Sequence, residues 1–170
     1  MRKNLIAKIL AKQEEMAART DRSLYFEELG VDFLLVDEAH AYKRAPITTR
    51  KGNVKGIPSG QSSRAQAMEM KARHIQGRNA GRGVVFATGT PITNTMAEAY
   101  IMLKLATPNV LKQYGITNFD EFADTFGSLA TDVEYTWTGQ YRAVTRFKRF
   151  TNGPELVKMI RSGFDVKMGN

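Results

Sequence analysis

The fold is decided by one short stretch, Val31-Asp32-Phe33-Leu34-Leu35-Val36-Asp37-Glu38-Ala39-His40. Five apolar residues, interrupted only by Asp32, lead directly into two carboxylates and a histidine. A short apolar run of this kind is typical of a strand that is buried on both faces of a parallel sheet. The acids follow at its carboxyl end, which is the edge where open α/β sheets bind ligands. The stretch therefore predicts a site for a nucleotide and its metal.

A second strand is predicted at Gly83-Val84-Val85-Phe86-Ala87, and it ends in Thr88-Gly89-Thr90-Pro91. Between the two strands, Ser63-Arg64-Ala65-Gln66 has the form of a capping box, and apolar residues follow it at helical spacing as far as Gly77. A strand, a helix and a second strand in this order favour two parallel strands in one sheet. The predicted fold class is therefore α/β.

The two strand ends carry a resemblance to a known family. Asp37-Glu38-Ala39-His40 resembles the Walker B box of superfamily-two helicases, and Thr88-Gly89-Thr90-Pro91 resembles motif III of Swi/Snf-related helicases. The resemblance implies a partial RecA-like fold, with parallel strands flanked by helices, that corresponds to the later half of the first lobe. The sequence after Pro91 is also similar to phage and mobile-element proteins that join such a helicase to an adenine-specific DNA methylase.

The resemblance also implies roles for individual residues. Asp37 would hold Mg²⁺ through water, Glu38 would polarise the water that attacks the γ-phosphate of ATP, and His40 would link the nucleotide to the second turn. Thr88, Gly89 and Thr90 would line the nucleotide site, and Thr88 and Thr90 would couple it to DNA. Taken singly, acids at a strand end also cap helices or pair with arginines, and a histidine there is often structural. A metal site built on His40 and His74 is not expected, because the chain has no cysteine and no third histidine.

The chain lacks a phosphate-binding loop of the form Gly-x-x-x-x-Gly-Lys-Ser/Thr. We therefore expect residues 1–170 to be one partial lobe, a fragment of a helicase or translocase that needs an upstream Walker A half and a second lobe of the same parent. Mg²⁺ and ATP would bind the intact parent, whereas the fragment alone would be inactive and hold neither tightly. The alternative is a non-catalytic α/β module that binds nucleic acid or a protein partner and carries a degenerate nucleotide site.

Positive charge is concentrated after the first strand. The net charge is +8, and residues 39–82 contain ten lysines or arginines and one acid. Residues 41–63 are rich in glycine and proline and are predicted to form a basic, mobile loop. Such a loop is typical of a nucleic-acid contact, with DNA as the expected partner, although a solvated surface loop would have the same composition. The candidate nucleic-acid-binding residues are Lys43, Arg44, Arg50, Lys51, Lys55 and Arg64.

Other segments are predicted to be structural. Helices are expected over Lys3–Ala18, from about Asp21 to Gly30, after Thr95 and after Asn118, where phenylalanines form one apolar face. Residues 129–150 alternate as a β-hairpin insertion and precede a C-terminal helix. The hairpin ends in Arg146-Phe147-Lys148-Arg149-Phe150, which could contact nucleic acid or form an ordinary strand with solvated charges.

The composition gives no sign of export or membrane insertion. There is no cysteine, no signal-peptide pattern and no apolar run approaching the roughly 20 residues that a membrane helix needs. A cytoplasmic protein without a membrane partner is expected.

Overall fold

A computed structural model describes residues 25–52, 54–58, 60, 62–93 and 95–167. The helix predicted over Lys3–Ala18 lies outside the described residues. The chain divides into two compact units, residues 1–31 and residues 32–170. In the described part of the first unit, a 3₁₀ helix spans Phe26–Leu29 and ends at Gly30, whose φ of 64° is the left-handed conformation that glycine adopts without strain.

The second unit contains a parallel pair of strands, β1 (Leu34–Val36) and β3 (Val84–Phe86), that pair residue for residue from Leu34↔Val84 to Val36↔Phe86. Helix α1 (Ser63–Arg78) lies between them in the sequence. The predicted α/β arrangement of parallel strands joined through a helix is therefore confirmed, and the architecture is consistent with a partial RecA-like fold.

The prediction that the first strand is buried on both faces is wrong. Val36 lies in a small apolar cluster with Ala39 and Met102, whereas the side chain of Leu35 is 67% exposed and its neighbour Val85 is also exposed. Leu35 and Val85 are paired in register, so they lie on the same face of the sheet. One face of this two-stranded sheet thus packs on the core and the other is open.

Helix α2 (Met96–Ala106) is at the centre of the main core and is buried along nearly its whole length. Thr95 caps it by accepting a hydrogen bond from the backbone N–H of Glu98 at 3.2 Å, as its sequence predicts. The next segment is helix α3 (Pro108–Gln113), for which the sequence predicted no helix. Proline is suited to the first turn of a helix, because it has a fixed φ and no N–H there needs a partner.

Helix α4 (Phe119–Phe126) carries the predicted phenylalanine face, and its three phenylalanine side chains are almost fully buried. The rings of Phe122 and Phe126 meet edge to face at 5.1 Å, and Tyr100 of α2 lies 5.4 Å from Phe119. These contacts confirm that the aromatic face is part of the core.

The C-terminal part forms the predicted hairpin and helix. Strands β4 (Gly127–Tyr135) and β5 (Tyr141–Phe150) are antiparallel, and helix α5 (Gly153–Gly163) follows them. The basic loop adds the two-residue strand β2 (Val54–Lys55), which pairs in parallel with β5, so that the second sheet has the order β2-β5-β4. This pairing joins segments about ninety positions apart in sequence, and the sequence analysis did not predict it.

The start of α1 differs from its prediction by one residue. Ser62, not Ser63, is the cap: its hydroxyl accepts from the backbone N–H of Ala65 at 3.3 Å. The helix also continues through Gly77 to Arg78. Adjacent serines give the same local signal, so the backbone conformation decides which of them caps the helix.

Candidate nucleotide site and nucleic-acid interface

The candidate catalytic acids lie directly beyond the carboxyl end of β1. Asp37 Oδ1 accepts a hydrogen bond from the backbone N–H of Glu38 at 2.8 Å. Glu38 has a φ of 51°, which is uncommon for a residue other than glycine and costs on the order of 1–3 kcal/mol unless the surroundings hold it. A hydrogen bond at the next residue holds the backbone in this conformation: the N–H of Ala39 donates to the carbonyl of Ala87 at 3.0 Å.

His40 lies between the acid and the second turn. Its Nδ1 is 2.9 Å from Glu38 Oε2 and 3.4 Å from the hydroxyl oxygen of Thr88. The same hydroxyl accepts from the backbone N–H of Thr90 at 3.2 Å. Glu38, His40, Thr88 and Thr90 therefore form one line of polar contacts from the end of β1 to the turn after β3.

Gly89 lies at the exposed tip of this turn, where a Cβ atom built on it would meet nothing within 4 Å. Asp37, Glu38, His40 and residues 88–90 are all at least partly exposed to solvent. Ala39, which lies between two of them in the sequence, is fully buried. An exposed site of this kind is accessible to a ligand.

A nearly buried ion pair, which no pattern in the sequence predicted, adjoins the site. Lys43 Nζ lies 3.6 Å from Glu98 Oε2, and the two side chains are only 12% and 5% exposed. Lys43 also donates to the hydroxyl of Thr93 at 2.7 Å. The carboxylate of Glu98 in turn accepts from both the backbone N–H and the hydroxyl of Thr93, at 2.8 and 2.9 Å.

This cluster of Lys43, Thr93 and Glu98 ties the segment after Asp-Glu-Ala-His to the segment after Thr-Gly-Thr-Pro. Glu98 is the last residue of a Thr-x-x-Glu capping box and the third residue of α2, and this local pattern was its only signal in the sequence. Its side chain instead reaches back to Thr93, two residues before the cap.

The six candidate nucleic-acid-binding residues fall into two groups. Three lysines are engaged by carboxylates of the same chain: Lys43 by Glu98, Lys51 by Asp124 of α4, and Lys55 by Glu134 of β4. The three arginines have exposed side chains: Arg44, Arg50 and Arg64. The guanidinium of Arg64 lies over the ring of Tyr42, 5.1 Å from its centre.

The acidic face of α4 holds the middle of the basic loop. Asp120 accepts hydrogen bonds from the hydroxyl of Thr49 and, at 2.9 Å, from the backbone N–H of Arg50. The hydrogen bond from Thr49, followed by the one from Arg50, lowers the pKa of Asp120 below its ordinary value. The anchor on α4 and the pairing of β2 with β5 thus both attach this loop to the domain, in addition to the contacts of Lys43.

Asp37 is suited to a magnesium ion that is held mainly by water and phosphate. The described residues contain no group of three or more histidines, cysteines or carboxylates that could hold a metal by themselves. Mg²⁺ in nucleotide sites needs only one or two carboxylates, because water and the phosphates supply its other ligands. Asp37 is exposed at the sheet edge, and its Oδ2 makes no hydrogen bond within the described residues, so its oxygen chemistry fits this ion.

No helix in the described part of the chain is long and apolar enough to cross a membrane.

Comparison with known proteins gives a family. A family model described as "Probable helicase domain" matches residues 1–168. "Defense against restriction protein B" of Escherichia phage P1 is 29% identical over 137 residues, which are 79% of this chain and 6% of that protein. The chain thus spans a small part of the length of this relative. No solved structure matches the chain significantly.

Proposed function

Because this chain belongs to the family of probable helicase domains, we propose that it carries the Walker B and motif III halves of the ATP site of a DNA-dependent helicase or translocase of the Swi/Snf type. The observation that supports this most is the line of contacts from Glu38 through His40 to Thr88. It joins the two resembled motifs at the carboxyl edge of a parallel sheet, where nucleotides bind in folds of this class.

In this proposal the chain's own residues position the reactants. Asp37 would hold Mg²⁺ through water, and the ion would supply charge stabilisation on the phosphates. Glu38 accepts a hydrogen bond from the attacking water and aligns it. His40 keeps the Glu38 carboxylate in place, and its contact with Thr88 links the position of that carboxylate to the turn of residues 88–90.

The phosphate-binding loop and the second lobe are proposed to come from outside these 170 residues. The described site offers acids and hydroxyls but no glycine-rich loop ending in Lys-Ser or Lys-Thr, which cradles the phosphates in such enzymes. The chain alone should therefore not hydrolyse ATP measurably. The attachment of an adenine-specific methylase to the same parent is likewise proposed from the sequence resemblance after Pro91.

DNA is the proposed nucleic-acid partner. The name of the phage relative refers to defence against restriction, and restriction acts on DNA. The exposed side chains of Arg44, Arg50 and Arg64, which belong to the basic segment after the Asp-Glu-Ala-His turn, supply positive charge for backbone phosphates. Lys55 is partly exposed but shares Glu134 with Arg146, so we expect its contribution to be smaller.

The proposal is tested by ATP hydrolysis of the complete gene product that contains these residues, with magnesium, in the presence and absence of DNA. Glu38→Gln should lower kcat at least about 100-fold, because a positioned acid–base group contributes about 10²–10⁴ in rate. Glu155→Gln, which alters an exposed acid of α5, is the matched control and should leave kcat unchanged. DNA-stimulated hydrolysis that survives Glu38→Gln would refute the proposal. Absence of hydrolysis alongside salt-sensitive DNA binding would instead favour the non-catalytic module.

A further inference from the structure

The tip of the β4–β5 hairpin carries three exposed aromatic residues that the proposed ATP site does not use. We define the hairpin tip as Tyr135, Trp137 and Tyr141. Trp137 is the only tryptophan of the chain, and its side chain is 97% exposed. A fully exposed tryptophan is unusual, because burying a side chain of this size stabilises a protein more than burying almost any other.

The turn does not require this tryptophan. The backbone N–H of Thr136 donates to the carbonyl of Gln140 at 2.8 Å, and the N–H of Gly139 donates to the carbonyl of Thr136 at 2.9 Å. Gly139 supplies the positive φ of 81° that closes the turn. All these interactions are made by backbone atoms or by glycine, so the conformation of the hairpin does not account for Trp137.

The two tyrosines form a small platform beside it. Tyr135 and Tyr141 are cross-strand partners, and their rings meet edge to face at 5.2 Å. Both rings are largely exposed, as is Val133 on the same face. The platform is thus held in a defined geometry by the hairpin while its surface remains accessible.

The other face of the hairpin carries the charge. Alternation along the strands places Arg142 and Arg146 there, together with Asp132 and Glu134. Lys55 of β2 also contacts Glu134, and Lys148 contacts Asp132 at 3.1 Å. Four basic side chains thus face two carboxylates, and this excess of positive charge is complementary to a polyanion.

We propose that the hairpin tip binds unpaired bases of a single-stranded nucleic acid by stacking, while the basic face of the same hairpin attracts its phosphates. Aromatic side chains stack on any base, whereas the base faces of a duplex are already covered by their neighbours. The inference deepens the proposed function, on which it rests, by assigning single-stranded DNA as the form that this hairpin engages.

The single tryptophan makes the test direct. The chain is titrated with a thymidine oligonucleotide of about ten nucleotides, which is within the site size of single-strand-binding domains, while the emission of Trp137 is recorded. Stacking should quench this emission in proportion to binding. Inorganic polyphosphate, which is a polyanion without bases, should leave the emission unchanged.

Variants measure the contribution of the ring. Trp137→Ala should weaken binding of a labelled oligonucleotide about 5- to 150-fold, which is the range for losing one base–aromatic stack. Trp137→Phe should restore part of the affinity. Tyr114→Ala, which removes an exposed tyrosine outside the hairpin, is the matched control and should bind as the unaltered chain does. Binding of duplex DNA should be nearly the same in all four proteins.

Three results would overturn the inference, and they are distinguishable from failure of the proposed function. In the first, the oligonucleotide binds without quenching Trp137 and with equal affinity for the unaltered chain and Trp137→Ala. This result would show that the chain binds DNA but that the hairpin tip does not contribute. A shift of the Trp137 emission maximum with protein concentration, in the absence of nucleic acid, would indicate that the tip contacts another copy of the chain instead. No binding of either single-stranded or duplex DNA by the chain would refute this inference and the assignment of DNA to its basic segment, while the proposed ATP site would still be decided by hydrolysis in Glu38→Gln.

Discussion

Replacing Glu98 with alanine is expected to lower the free energy of unfolding by about 3 kcal/mol. The change removes one partner of a nearly buried ion pair, which typically costs about 3–5 kcal/mol because the other charge is left buried. The lower end applies here, because Lys43 is 12% exposed and retains its hydrogen bond to Thr93. The substitution also removes the acceptor for the backbone N–H of Thr93.

Urea unfolding followed by circular dichroism measures this effect. Glu98→Gln keeps an oxygen acceptor for the N–H of Thr93, so its loss should be smaller, about 1–2 kcal/mol. Asp132→Ala is the matched control, since it removes an acid that pairs with Lys148 at 3.1 Å on an exposed face of the hairpin. That pair should contribute no more than about 1 kcal/mol. If Glu98→Ala destabilises the chain no more than Asp132→Ala does, the reasoning that the cluster ties the two motif segments together is wrong.

Four further outcomes are expected. Gly83→Ala should destabilise the chain by more than about 1 kcal/mol in urea unfolding, because φ is +89° and a Cβ there would lie 2.9 Å from a backbone oxygen. Gly77→Ala, on an open helix surface, should instead stabilise it by about 0.5–1 kcal/mol. Asp120 has a lowered pKa when folded, so its contribution is present above its ordinary value of 3.8 and is lost as the pH falls through the folded pKa. Asp120→Asn should therefore lose less stability than the unaltered chain between pH 6 and pH 3, and equal losses would contradict this. Arg44→Glu should weaken DNA binding and reduce the slope of log Kd against log salt by about one. An unchanged slope would show that Arg44 does not contact a DNA phosphate.

Local patterns predicted much of the fold because the interactions behind them are local. The caps at Thr95 and Asn118 depend on hydrogen bonds three residues away, and the phenylalanine face of α4 depends on helical periodicity. The link of His40 to the turn after β3 was expected from the family resemblance, and it agrees with adjacent parallel strands bringing their carboxyl ends together.

Features that depend on distant partners were not predictable in the same way. An apolar run such as residues 33–36 does not specify which face will be covered, so Leu35 was wrongly expected to be buried. Lys43 and Lys51 appeared as surface charge in the sequence, since nothing local indicates that Glu98 and Asp124 lie within reach. The pairing of β2 with β5 depends on the hairpin far downstream and has no local signal of its own.

The contacts of His40 with Glu38 and Thr88 join the two halves of the proposed site, and a double-mutant cycle on DNA-stimulated ATP hydrolysis measures whether they act together. The complete gene product is measured with His40→Ala, with Thr88→Val and with both changes. If the two residues act through one line of contacts, the double variant should have nearly the kcat of the more impaired single variant. If the two losses in kcat multiply, His40 and Thr88 act independently and the proposed link between the two motifs does not exist.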